Sequence, residues 1–269
     1  MTKKKFFLMG FIILLFLIVI MFSFFLYRYW TMGKLVDAIS QNDQAAFDKR
    51  LPLVMDLNAL PYPSALYAFA QENGRTPLQK ACEVGNLYMV TRLVEEGADV
   101  NATSNRAPFS PLMFAVMSES EANLDIVQFL IQNGADVTYR KKDGKDALYQ
   151  LAIARGSVPH TEAILDLLVQ NGGKLSYAYN RGTLLNEAAF AGNKKVISHL
   201  LTTYEMDCNV GASQRTALIH YCLSYRPTIE TIQLFLDCGA DKTRIDEDGK
   251  TAYDYAVERG YTDVAELLK

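Results

Sequence analysis

Neither charge is in excess in this chain: 27 lysines and arginines stand against 30 aspartates and glutamates, a formal net charge of −3 over 269 residues. That balance argues against a nucleic-acid partner, whose phosphates are held by a basic face. There are only four cysteines, Cys82, Cys208, Cys222 and Cys238, and none sits in a C-x-x-C pair. Zinc-ribbon and thioredoxin-like arrangements are thereby excluded. The three histidines, His160, His199 and His220, are scattered, and no Cys/His cluster has the spacing of metal ligands. G-x-S-x-G, H-E-x-x-H, Walker and G-x-G-x-x-G patterns are all missing. No low-complexity tract occurs. The expectation is a chain without catalytic residues, cofactor or metal.

One long apolar run is present. Residues Phe6 to Tyr27 read FFLMGFIILLFLIVIMFSFFLY, without a charge, and a helix of this length spans roughly 30 Å, the hydrocarbon core of a bilayer. A cleaved signal peptide is the rival reading. It needs a shorter apolar stretch and a small-x-small cleavage site, whereas YRYWTMGK follows here. We therefore expect a membrane anchor over residues 6–27, within a first segment of residues 1–30. Lys3, Lys4 and Lys5 precede it, against Arg28 and Lys34 after it, which favours a cytoplasmic N-terminus. Tyr27, Tyr29 and Trp30 fall where an interfacial aromatic belt would lie. The rest of the chain is expected beyond the membrane, in the periplasm or outside the cell. Gly10 and Ser23 are the small residues of the span, so no G-x-x-x-G seam suggests helix pairing.

After the apolar run the sequence repeats itself. Asn73–Asn101 reads NGRTPLQKACEVGNLYMVTRLVEEGADVN. Ser110-Pro111-Leu112 leads to Gly134-Ala135-Asp136-Val137. Asp143-Gly144-Lys145-Asp146-Ala147-Leu148 leads to Asn171-Gly172-Gly173, and Thr183-Leu184-Leu185 to Gly192-Asn193 and Leu200-Leu201. Thr216-Ala217-Leu218 leads to Gly239-Ala240-Asp241, and Asp248-Gly249-Lys250-Thr251-Ala252-Tyr253 to Gly260 and Leu267-Leu268. A weaker copy holds Leu35, Ala38, Asn42-Asp43, Phe47, Leu51 and Asp56-Leu57-Asn58. The pattern resembles the ankyrin-repeat family, probing about seven units of roughly 33 residues. The resemblance implies an all-α ankyrin-repeat solenoid, helix–turn–helix units with hairpin-like fingers, over residues 31–269. Its units are expected at 31–58 (an N-terminal cap), 73–101, 106–138, 141–175, 180–209, 213–243 and 246–269 (a C-terminal cap). Threonine at the helix start suits an N-cap, proline the first helical position, and glycine the helix end. The Asp-Gly pairs at 143–144 and 248–249 suit tight turns at the finger tips. No unit buries its apolar face alone, so stability comes from stacking.

Departures from the repeat mark candidate sites. Residues 59–72, ALPYPSALYAFAQE, form an aromatic insertion with Tyr62, Tyr67 and Phe69, read as an extra packed helix or a partner contact. Extra residues also fall between helices around Glu119–Ala122, Gly156–Pro159 and Arg226–Thr228, either on a binding face or as tolerated loop drift. The resemblance implies that the residue before each first helix points into a concave groove. Those residues are Arg75, Phe109, Lys145, Arg215 and Lys250, with Arg181 offset by one. Such a mostly basic row would suit an acidic protein surface. Met117, Phe190 and Leu223, at the ends of first helices, would give the groove an apolar floor. Cys82 and Cys222 are expected as small buried residues. Cys208 and Cys238 lie near the ends of adjacent second helices, where one disulfide stays open as an alternative. His220, at a position usually apolar, is expected to make a structural hydrogen bond.

The functional expectation is a non-enzymatic, membrane-tethered module that binds a protein partner through its concave face, as an immunity protein or a scaffold. The alternatives are an assembly component of a membrane complex and, with reversed topology, a cytoplasm-facing adaptor. The part of the chain from about Thr31 is expected to be soluble and monomeric.

Overall fold

Short helices opened by a capping side chain and closed by a left-handed residue recur along the chain. The computed structural model describes residues 3–58, 74–103, 108–154, 158–176, 182–211 and 214–269. The helices are α1 (Lys3–Ser40), α2 (Gln44–Arg50), α3 (Pro77–Val84), α4 (Leu87–Glu95), α5 (Pro111–Ala115), α6 (Asn123–Gln132) and α7 (Ala147–Ile153). They continue as α8 (Thr161–Gln170), α9 (Leu184–Ala191), α10 (Lys194–Thr202), α11 (Ala217–Leu223), α12 (Ile229–Asp237), α13 (Ala252–Glu258) and α14 (Thr262–Leu268). Among the described residues no strand occurs beyond one antiparallel bridge between Ser176 and Thr183.

The capping chemistry explains where these helices start. Thr76 accepts from the Gln79 amide while the Gln79 side chain accepts from the Thr76 amide, and Pro77 follows at a position with no hydrogen bond to lose. Thr183 with Asn186 and Thr251 with Asp254 repeat that reciprocal pair. Asp146 and Thr216 cap α7 and α11 singly. The second helices α4 and α10 are capped by Asn86 and Asn193, each just after a left-handed glycine, Gly85 and Gly192. Where the sequence carries extra residues this device is lost. α6, α8 and α12 start from Ala122, His160 and Thr228 with no side-chain cap, and His160 itself adopts φ of 52°.

The chain divides into two compact units, Met1–Pro111 and Leu112–Lys269. In the first, α1 is one unbroken helix across the expected boundary at residue 30. Its apolar stretch, Ile12 to Leu26, carries no protein against it and is exposed throughout, whereas Met32, Leu35, Val36, Ala38 and Ile39 are buried. This last part packs on α2 and α3 together with Phe47, Leu51 and Leu57. α3 and α4 pair through Leu78, Ala81, Cys82, Met89, Val90 and Leu93. The helix is long and apolar enough to cross a membrane. The aromatic insertion at 59–72 lies outside the described residues.

In the second unit α7, α9, α11 and α13 pack side by side as an inner layer, and α6, α8, α10, α12 and α14 form the outer one. Small residues Ala152, Ala188, Ala189, Cys222 and Ala256 let the inner helices approach, while Ile164, Leu168, Val196, Leu200, Ile232 and Phe235 fill the space behind. No helix has a core of its own, so each is held by its neighbours. The Asp143-Gly144 and Asp248-Gly249 pairs do form tight turns. Gly144 N–H donates to Lys141 O and Gly249 N–H to Asp246 O, both glycines at positive φ.

Candidate functional site

The inner helices of the second unit end in register. Ile153, Phe190, Leu223 and Val257 each follow a fully buried small residue, Ala152, Ala189, Cys222 and Ala256. A side chain one position past the buried stripe is rotated by about 100° around the helix, off the core. Phe190 is 52% exposed and Val257 equally so, with Ile153 and Leu223 half-buried. Met117 follows buried Val116 in the same way and is half-buried. Met117, Phe190 and Leu223 are among the residues expected from the sequence, and Ile153 and Val257 are not; their shared offset from a buried small residue is the signal that marks them.

The finger-tip residues meet partners within the fold. In the first unit Arg75 Nη1 lies 2.6 Å from Glu83 Oε2, and Phe109 is half-buried, its carbonyl accepting from Gln79 Nε2 at 2.7 Å. In the second unit Lys145 Nζ sits 4.9 Å from the Tyr149 ring centre and 3.5 Å from Asp143. Lys250 Nζ is 2.6 Å from Glu258 Oε1. Arg215 is the most heavily engaged. Its Nε donates to Asp246 at 2.8 Å and its Nη2 to Asp248 at 2.6 Å, two carboxylates of the next finger. Tyr255 Oη donates to Asp246 as well, at 2.7 Å. Burial pushes the Asp246 carboxyl up, but hydrogen bonds from Arg215, Tyr255 and the amides of Lys250 and Asp248 outweigh it and hold the pKa down at about 2. Arg215 thus ties two fingers together. Arg181 lies outside the described residues.

His220 departs from expectation. Its Nδ1 is buried with no hydrogen-bond partner, and the ring meets the Phe190 ring edge-on at 5.9 Å. Burial, helped by the nearby Arg215 charge, pushes its pKa down to about 4, so the imidazole is neutral at physiological pH. Cys82 and Cys222 are fully enclosed, and burial raises both thiols, Cys222 to about 12, so neither is a nucleophile at neutral pH. Cys208 is a free thiol that donates to the Cys238 carbonyl at 3.6 Å. Among the described residues no group of three or more His, Cys, Asp or Glu side chains is arranged to hold a metal.

Two of the lengthened loops come together. A cavity of about 480 Å³ opens between Val158 of one and Tyr225 and Arg226 of the other, with Lys194 and Lys195 of α10 on its rim. Tyr225 is exposed, its ring under the Arg226 guanidinium at 5.0 Å. Val158, Tyr225 and Arg226, with the capped Gly192-Asn193 turn between them, give this hollow a basic and aromatic lining.

Comparison with known proteins matches this architecture. The model for ankyrin repeats fits in three copies, over residues 44–141, 112–212 and 185–269. SH3 and multiple ankyrin repeat domains protein 1 of Homo sapiens is 31% identical over 137 residues, 49% of this chain and 6% of that protein. Alpha-latrocrustotoxin-Lt1a of Latrodectus tredecimguttatus is 25% identical over 198 residues, 70% of this chain and 14% of the toxin. The chain spans a small part of the length of these curated relatives. Among solved structures, the human ASB11 ankyrin repeat domain superposes with a TM-score of 0.69 at 21% identity, over 87% of this chain and 97% of that one. A chain from the complex of the predatory endopeptidase Bd0816 of Bdellovibrio bacteriovorus with immunity protein Bd3460 gives 0.58 at 28% identity, over 71% of this chain and 95% of that one. With the capped helix pairs, the finger turns and the family match over residues 44–269, this chain belongs to the ankyrin-repeat family.

Proposed function

We propose that this protein presents an ankyrin surface beside a membrane and binds a protein partner across the free face of its inner helices. The observation that carries the reading is the apolar row Ile153, Phe190, Leu223 and Val257, in which Phe190 and Val257 each stand 52% exposed beside fully buried small residues. An exposed aromatic on a rigid helical floor is the kind of residue on which binding energy concentrates. Lys145 and Lys250 flank that face and retain partial exposure beside their carboxylate partners, which suits an acidic rim on the partner. The exposed apolar stretch of α1 supports membrane attachment, and Lys3, Lys4 and Lys5 before it support a cytoplasmic N-terminus with the repeats on the far side.

A peptidase is the partner class we favour, in the manner of an immunity protein. The support is the likeness to a chain of the endopeptidase–immunity complex at 28% identity, spanning 95% of that chain. The test is affinity capture with the full chain in detergent, followed by binding kinetics of variants. Phe190→Ala should release the partner faster with little change in association, and Lys145→Glu should slow association in a salt-dependent way. Arg215 is unsuitable for this purpose, since its loss breaks the Asp246 cluster. A captured peptidase whose activity falls on adding the full chain meets the prediction. Variants that all bind like the parent would remove the inner face as the site. A captured membrane component without hydrolytic activity would favour the assembly reading.

A further inference from the structure

At the base of the first unit, a cavity of about 320 Å³ is lined by Trp30, Thr31 and Lys34 of α1, Lys49 and Arg50 of α2, and Leu53 of the turn that follows. Its composition is unlike the rest of the surface. Trp30 is 61% exposed, Leu53 46% and nearby Met55 69%, a cluster of large apolar side chains that a soluble surface normally avoids. Beside them stand four cations, Arg28, Lys34, Lys49 and Arg50, of which the fold pairs the first two. Arg28 is held by Asp56 at 2.6 Å and Lys34 reaches Asp37 at 3.2 Å. Asp43 is used to cap α2, and Asp48 accepts from Tyr88. Among the described residues, Lys49 and Arg50 have no carboxylate partner.

The depth of this cavity follows from the helix. α1 is continuous from the apolar stretch into the repeat, with no hinge between them. Trp30 stands about 4.5 Å along the axis beyond Tyr27 and Lys34 about 10 Å beyond it, at 1.5 Å per residue. The headgroup layer of a bilayer is roughly 5–8 Å thick on each side. The Arg28–Asp56 pair fastens the Leu53–Asp56 segment to α1 just past the end of the apolar stretch. Trp30, Leu53 and the ends of Lys34, Lys49 and Arg50 are thus brought to the depth where lipid phosphates lie. A tryptophan with apolar body and polar edge, and long cations that snorkel, are suited to that layer. The alternative, that Lys49 and Arg50 serve only the C-terminal end of α2, accounts for their charge but not for the exposed Trp30 and Leu53 beside them.

We propose that this cavity is a binding site for the phosphate-bearing headgroup of an anionic membrane lipid, with Lys49 and Arg50 pairing the phosphate and Trp30 and Leu53 seated beside it in the headgroup layer. It rests on the reading that α1 crosses the bilayer. The site and the unbroken helix together hold the first repeat against the membrane surface at a set height.

Trp30 is the chain's one tryptophan, so its fluorescence reports this site alone. The full chain is reconstituted into vesicles of phosphatidylcholine and phosphatidylglycerol, in which one lipid or the other carries a nitroxide quencher near the top of its acyl chain. Trp30 should be quenched more by labelled phosphatidylglycerol, with an enrichment of about fivefold for each basic residue engaged at low salt, shrinking as salt is raised. Lys49→Glu with Arg50→Glu should bring the ratio to one while circular dichroism and quenching by the neutral lipid persist. A parent ratio of one with Trp30 still quenched overturns the headgroup site and leaves the membrane span standing. Absence of quenching by either lipid, with release of the chain by alkaline carbonate, overturns the span itself. If soluble glycerophosphate at low concentration abolishes the enrichment, the site takes free phosphate and the lipid assignment fails.

Discussion

His220 gives the sharpest test of the fold's energetics. Its imidazole is held neutral, with the pKa lowered from 6.5 to about 4 by burial and by Arg215. A base whose folded pKa is depressed contributes its full stability above the unfolded pKa and loses it as pH falls toward the folded value. Between pH 6.5 and 4 the unfolded chain binds a proton at this site and the folded chain does not, so stability declines with acid across that window. The shift corresponds to about 3 kcal/mol in total, of which about 2 kcal/mol is lost between pH 7 and pH 5. The perturbation is His220→Leu, which removes both the titration and the buried Nδ1 that lacks a partner. Leaving such an atom unsatisfied costs about 1–3 kcal/mol, so the variant should be as stable as the parent at pH 7 or more so. The assay is urea unfolding of parent and variant at pH 7, 6 and 5, comparing the difference between them so that other titrating groups cancel. The parent should lose about 2 kcal/mol more than the variant by pH 5. Parallel pH profiles would refute a neutral, desolvated His220. A variant less stable at pH 7 would show that the packing of the ring, including its edge-on contact with Phe190, outweighs the unpaired Nδ1.

Three further outcomes are expected. Leu200, fully buried between outer helices, should lose about 2–5 kcal/mol on change to Ala, with hydrogen exchange rising in the neighbouring α8 and α12 as well as in α10; loss confined to α10 would contradict the stacked layer. Asp246→Asn should destabilise the last two repeats by about 1–3 kcal/mol, because the charge-assisted hydrogen bonds from Arg215 and Tyr255 to the enclosed carboxylate are weakened while Arg215 keeps Asp248; a thermal midpoint equal to the parent's would show the cluster to be dispensable. Alkaline phosphatase fused after Lys269 should be active and green fluorescent protein at the same place dark; the reverse result would put the repeats in the cytoplasm.

Much of this architecture is legible in the order of residues. The threonines at 76, 183, 216 and 251 cap helices because a hydroxyl accepts from an amide three residues on, and that contact is local. Gly85 and Gly192 end helices for an equally local reason, their left-handed φ. The positions of Met117, Phe190 and Leu223, one past a buried residue at the end of a first helix, are readable from the same short period, as those of Ile153 and Val257 are once the register is applied. The boundary expected at residue 30 is different. Nothing near Trp30 breaks a helix, yet whether the chain bends there depends on what the next turn packs against. Met32, Leu35 and Val36 meet α2 and α3, and α1 runs straight through.

Sequence alone determined the repeat, its caps and the apolar stretch, because each depends on residues within one or two helical turns. Tertiary structure decided what the charges and the irregular loops do. Arg215 looks like a free groove cation in the sequence, but the next finger brings Asp246 and Asp248 to it from about thirty residues away, a distance that stacking closes. Likewise the loops around Val158 and Arg226 read as separate insertions until the inner helices set them around one cavity. Lys49 and Arg50 join Trp30 only because α2 folds back on α1. The physical reason is the same in each case: periodicity and capping act along the chain, whereas Coulomb pairing and cavity shape depend on distances that exist only once the repeats are stacked.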